Sequence, residues 1–165
     1  MTDIRKIPEI WDWIQIVDKD IFRCCKDQKL LVKLVKKAFR EEGIYVDEKQ
    51  LADYMRLCEN YIPFKLFPWQ RFVIALHDCT YRSDGMPRWP DLLCMIGRGA
   101  GKDGTIATES FLLSSPYNGI REYDVDICAN NEEQAIRPVQ DLTGFFELPK
   151  NIARSEERFS RNAET

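Results

Sequence analysis

The residues best suited to chemistry lie between Cys94 and Gly104, where an apolar run empties into a glycine loop that ends in Gly-Lys. Glycines let successive backbone N–H groups turn towards an anion. A helix starting there adds its partial positive charge, and a lysine at its head reaches the outer phosphates of a nucleotide. Gly97, Arg98, Gly99, Ala100, Gly101, Lys102, Asp103 and Gly104 therefore read as a variant P-loop. Two features depart from G-x-x-x-x-G-K-[ST]: Gly97 to Gly101 is one residue short, and Asp103 stands where a magnesium-binding hydroxyl belongs. A carboxylate there is a candidate Mg²⁺ ligand, yet it brings negative charge beside the phosphates. Thr105, two residues on, offers a substitute hydroxyl.

Arg98 has two readings, a guanidinium laid against the γ-phosphate as an arginine finger or a solvent-facing loop charge. Gln70, after Phe67 and Trp69, is likewise open. Its amide can donate to and accept from the edge of adenine, or it is simply a polar residue at a helix start. A hydrolase of this type also needs a carboxylate at the end of an apolar strand. Asp124 and Asp126 alternate with Tyr123 and Val125 and read instead as solvent-facing strand residues.

The elements that must position these groups are legible in outline. Residues 1–62 read as a helical region. Leu30, Leu31, Leu34, Val35 and Ala38 recur at helical spacing, and Lys29, Lys33, Lys36 and Lys37 take the remaining face, either solvated or touching DNA. A second helix starts at Asp47 with Gln50 in the capping-box return position and carries Leu51, Tyr54, Met55 and Cys58 as one stripe. Trp11 and Trp13 read as packing residues or a partner surface. From Pro63 the texture changes, and the division expected is 1–62 as helical region and 63–165 as the N-terminal part of a P-loop ATPase domain. Pro68 suits the first turn of a helix whose inner face is Trp69, Phe72, Val73 and Leu76. Residues 82–90 form a loop, 92–96 a short buried strand, 101–113 a helix and 123–129 a second strand. Asn130 is expected to cap a last helix carrying Ala135, Ile136, Val139, Leu142 and Phe146 inward, with Glu133 reciprocating. Strand, loop, helix and strand fit within about 40 residues, the size of a parallel, right-handed βαβ unit.

Composition bounds the rest. A 44% hydrophobic fraction with 12% aromatics excludes a disordered chain, and a net charge of −3 gives no whole-chain signal for nucleic acid. Six cysteines without a C-x-x-C pair, and a single histidine, His77, leave no zinc-finger spacing and read as free thiols in a reducing compartment. There is no signal-peptide apolar region and no apolar run near the ~20 residues of a membrane span, so a soluble intracellular protein is expected.

Taken together, three segments resemble the N-terminal part of a tailed-phage terminase large subunit, the ATPase of viral DNA packaging. Phe67-Pro68-Trp69-Gln70 resembles its adenine-reading segment, Gly97 to Lys102 its deviant Walker A loop with the arginine, and Asp126 to Ala135 the strand and helix start that follow. The resemblance covers roughly residues 60–165. It implies a partial RecA-like α/β P-loop domain preceded by a helical lead, with ATP and Mg²⁺ as cofactors. By resemblance Lys102 would act on the β- and γ-phosphates, Arg98 on the γ-phosphate, and Gln70 would contact adenine. Double-stranded viral DNA, a portal and a small terminase subunit would be partners, with a homo-oligomer as the complete motor and the host-cell cytoplasm as its place. The family's Walker B motif, catalytic glutamate and nuclease have no counterpart in these residues, which implies an N-terminal or truncated portion not competent for turnover alone. A helicase-like translocase and a non-catalytic nucleotide- or partner-binding domain are the rival readings.

Overall fold

The computed structural model describes residues 2–154. Its elements are α1 (Pro8–Asp18), α2 (Lys26–Glu41), β1 (Tyr45–Val46), α3 (Glu48–Tyr61), α4 (Pro68–His77), β2 (Thr80–Tyr81), α5 (Lys102–Leu113) and α6 (Glu132–Phe146), with short 3₁₀ turns at Ile4–Lys6 and Pro116–Asn118. The chain forms two compact units that interleave along the sequence: Met1–Ala52 with Leu66–Cys94, and Asp53–Lys65 with Met95–Thr165. The expected division at 62/63 is instead linear.

The expected partial RecA-like α/β domain with a parallel βαβ core is overturned. The structure is 59% helical, and the sheet found among the described residues is a two-stranded antiparallel pair. Its register sets Tyr45 opposite Tyr81 and Val46 opposite Thr80. The two segments expected to be parallel strands, 92–96 and 123–129, have no assigned secondary structure. Leu93 and Met95 are exposed at 87% and 85%, so the apolar run is not a buried strand here. A strand is stable only with ladder partners and, in a parallel sheet, with both faces covered. Neither segment has a paired neighbour among the described residues.

In the first unit α1 packs on α4. Pro8 opens α1 at its first turn, where a missing N–H costs nothing, and Ile10, Ile14 and Val17 form its buried stripe. Pro68 does the same for α4, which buries Phe72, Ile74, Ala75 and Leu76. Trp13 meets Phe72 with ring centroids 6.2 Å apart, so it packs. Helix α2 buries Val35 and Ala38 of the expected stripe but turns its leucines outward. Val32, Val35, Ala38 and Phe39 are buried, whereas Leu30, Leu31 and Leu34 are exposed at 53%, 44% and 55%. Both sets satisfy helical spacing. The inner stripe carries β-branched and aromatic side chains, and Ile44 and Val46 are buried in the same unit. The hairpin is tied down at Asp47, whose N–H donates to the Cys79 carbonyl at 2.8 Å, and at Thr80, whose hydroxyl donates to the Ala75 carbonyl at 2.8 Å. Asp47 caps α3 as expected, accepting from the Gln50 N–H at 2.9 Å.

The second unit is built on α5 against α6, with the latter part of α3. Tyr61, Phe111 and Phe146 form an edge-to-face trio with centroid separations of 5.8, 6.2 and 5.3 Å. Phe64 and Phe145 add a further edge contact at 5.7 Å. Asn151 is buried and its amide donates to the carbonyls of Tyr61 at 2.9 Å and Phe145 at 2.6 Å, stitching the end of α3 to the end of α6. Helix α6 is capped by Asn131, one residue later than expected, through the Gln134 N–H at 2.9 Å. Its inward face is set by buried Pro138 and half-buried Ala135, Leu142 and Phe145, while Ile136, Val139 and Phe146 are exposed.

Candidate functional site

The glycine loop sits in the second unit, immediately ahead of α5. The helix starts at Lys102, one residue later than read from the sequence, because Gly101 adopts a left-handed conformation at the N-cap (φ 88°, ψ 21°) and turns the chain into it. Gly99 is also left-handed at φ 80°, and the Ala100 N–H donates to the Gly97 carbonyl at 3.3 Å. A residue with a Cβ would be strained at both glycines. The two left-handed glycines turn the chain sharply into α5, and the Ala100 N–H is spent inside that turn.

The first helical hydrogen bond of α5 is Thr105 N–H to the Gly101 carbonyl at 3.0 Å. The N–H groups of Lys102, Asp103 and Gly104 precede that bond and point out of the helix start towards the loop. Together with the helix dipole they place partial positive charge there. Lys102 is 60% exposed and Asp103 57%, with Lys102 Nζ 3.9 Å from Asp103 Oδ1. At that distance and exposure the pair is loose, and the ammonium can swing to a phosphate at little loss. Arg98 is exposed, with no ion pair among the described residues.

Thr105 is nearly buried, and its hydroxyl donates to the Gly101 carbonyl at 2.8 Å, fastening the loop to the first turn of α5. Thr108 and Ser110 repeat that device, donating to the Gly104 and Ile106 carbonyls at 2.7 and 2.8 Å. Gly104 has a packing reason as well. A Cβ there would stand 3.0 Å from Phe64 Cζ, so the missing side chain lets the Phe64 ring approach α5 without shifting.

Gln70 belongs to the first unit and is 1% exposed. Its Oε1 accepts from the Phe67 N–H at 2.7 Å, returning to the backbone at the start of its own helix. The structure therefore brings Gly97 to Gly104 together as one loop and helix start, and engages Gln70 in capping α4. A metal ion at the loop would find one exposed carboxylate, Asp103. That suits Mg²⁺, which keeps several waters and takes its remaining oxygens from phosphates. The anchoring role of Thr105 and the packing role of Gly104 were not legible beforehand. The i, i+4 spacing of Gly101 with Thr105 and of Gly104 with Thr108 is the signal that carries them.

Comparison with protein-family models, with curated proteins and with solved structures yields no match for this chain. No helix among the described residues is long and apolar enough to cross a membrane.

Proposed function

We propose that residues 97–104 bind the phosphate chain of ATP with Mg²⁺, and that the chain serves as the ATP-binding portion of a viral DNA-packaging motor of the terminase large-subunit type. The observation that carries the reading is the pair of left-handed glycines, Gly99 and Gly101, set directly before a helix whose first residue is Lys102. That arrangement offers backbone donors, a helix dipole and a mobile ammonium to one anion. It depends on the loop and α5, and no parallel sheet enters it. In this reading Lys102 would neutralise the β- and γ-phosphates, Arg98 would reach the γ-phosphate, and Asp103 would be the residue to hold Mg²⁺. The ion would supply charge neutralisation. The packaging role, with DNA, portal and small subunit as partners, rests on the resemblance of the three segments alone.

A nucleotide-binding role without turnover is the second reading, favoured by Asp103 at the hydroxyl position and by the commitment of the Thr105 hydroxyl to the Gly101 carbonyl. A fluorescent ATP analogue titrated with and without Mg²⁺ tests the first statement. Saturable binding that weakens about tenfold in Gly101→Ala or Arg98→Ala is the expected result. Undiminished binding in both variants would remove the loop from the site.

A further inference from the structure

The face of α2 turned away from the core carries two stripes side by side. Lys26, Lys33 and Lys37 form one, and exposed Leu30 and Leu34 form the other. Three of the helix's lysines are already paired within the unit. Lys29 meets Asp20 at 3.0 Å, Lys36 meets Asp18 at 2.5 Å, and Lys37 stands 3.8 Å from Glu41. Lys26 and Lys33 have no ion pair among the described residues. These two, with Lys29, Leu30, Val17 and Asp18, line a groove of about 470 Å³ between the end of α1 and the start of α2. The connecting loop is held in a defined shape by Asp20 and Arg23, both left-handed at φ 52° and 53°, and by the Cys24 N–H donating to Asp20 Oδ1 at 2.8 Å. It holds Ile21 and Phe22 in solvent, the latter 73% exposed.

We propose that this face docks an acidic amphipathic helix of a protein partner. The partner's leucine-type side chains would cover Leu30 and Leu34, and its carboxylates would enter the groove at Lys26 and Lys33. Charge complementarity selects an acidic partner. Lysines crowded on one wall of the groove, against a single carboxylate already engaged by Lys36, favour a ligand that brings negative charge. The apolar stripe selects a protein helix over DNA, because a phosphate backbone has nothing to place on two exposed leucines. The groove's concavity favours inserted side chains over the flat headgroup plane of a membrane. The site lies wholly in the first unit and does not depend on the glycine loop.

The test is fluorescence anisotropy of the intact chain with a labelled, stapled helix of about 15 residues that carries leucine at i, i+3, i+4 and i+7 and glutamate elsewhere. A lysine-for-glutamate version of that helix, vesicles of mixed phosphatidylserine and phosphatidylcholine, and a short DNA duplex are run alongside. Saturable binding of the acidic helix is expected, weakened by added salt and reduced about tenfold in Lys26→Glu/Lys33→Glu and in Leu30→Ser/Leu34→Ser. All four positions are exposed, and circular dichroism checks that both variants keep the wild-type helix content. No saturable binding, equal binding of the lysine version, binding unaltered in the folded variants, or preferential binding of vesicles or DNA would each overturn the proposal. The peptide and salt arms need no substitution in the protein.

Discussion

Asp103 is the residue on which the chemistry of the loop turns. It occupies the first turn of α5, where the helix dipole stabilises its negative charge, and it lies beside Lys102. By occupying the dipole that charge opposes an incoming polyphosphate, while the loose pair with Lys102 adds little. Replacing Asp103 with threonine is therefore expected to tighten Mg-ATP binding several-fold. An unchanged dissociation constant in titration calorimetry would show that the carboxylate neither repels phosphate nor redirects the metal. The cysteines provide an independent check at the same scale. Burial pushes the Cys58 thiol up to about 12 and raises Cys79 further, with the charge of Glu59 adding at Cys58 and that of Asp78 at Cys79. Alkylation by iodoacetamide at pH 8, read by mass spectrometry, is expected to label exposed Cys25, Cys94 and Cys128 in minutes and to spare Cys58 and Cys79 until the chain is unfolded. Uniform labelling of the native protein would contradict the described core.

At the scale of elements, the helix starts are where sequence and structure agree best, because caps are local chemistry. Asp47 before α3, Pro68 at the head of α4 and Gly101 before α5 each act within a few residues of themselves. Asp47→Ala is expected to lower stability by about 1 kcal/mol in chemical denaturation, through loss of the bond to the Gln50 N–H. Gly101→Ala is expected to cost about 1–2 kcal/mol from the left-handed backbone alone. A change within error in either variant would mean that the cap described does not hold the helix start. The buried face of α2 was legible only in part, at Val35 and Ala38, because apolar residues on that helix satisfy the helical period in two ways. Nothing local distinguishes Leu30, Leu31 and Leu34 from Val32 and Phe39. Strand character at 92–96 and 123–129 failed for a different reason. An apolar run describes a segment that tolerates burial, whereas a strand exists only through partners remote in sequence. The loop itself survives that failure, since left-handed glycines and a helix start need no sheet to form.

Across the whole molecule, two interleaved units share one chain, and the three segments of the family resemblance are divided between them. Gln70 lies in the first unit and the glycine loop in the second. Long-range ion pairs in the first unit join segments distant in sequence, as Arg88 does to Glu42 at 2.5 Å. Hydrogen bonding to Arg88 holds the Glu42 carboxyl below its ordinary value of 4.5. A depressed folded value means that the pair's contribution is fully present above about pH 4.5 and fades as the pH falls through the folded value. Glu42 is partly exposed, so the effect is small. Glu42→Gln is expected to lower the thermal midpoint slightly at pH 7 and by less at pH 3, and an equal loss at both would rule out the charge as the cause. The central claim remains the phosphate site, and it is tested most directly by titration calorimetry of Mg-ATP into the chain and into Lys102→Ala. The account predicts saturable one-site binding in the wild type and a loss of about tenfold or more in the variant, whereas no binding in the wild type, or equal binding in both, would contradict it.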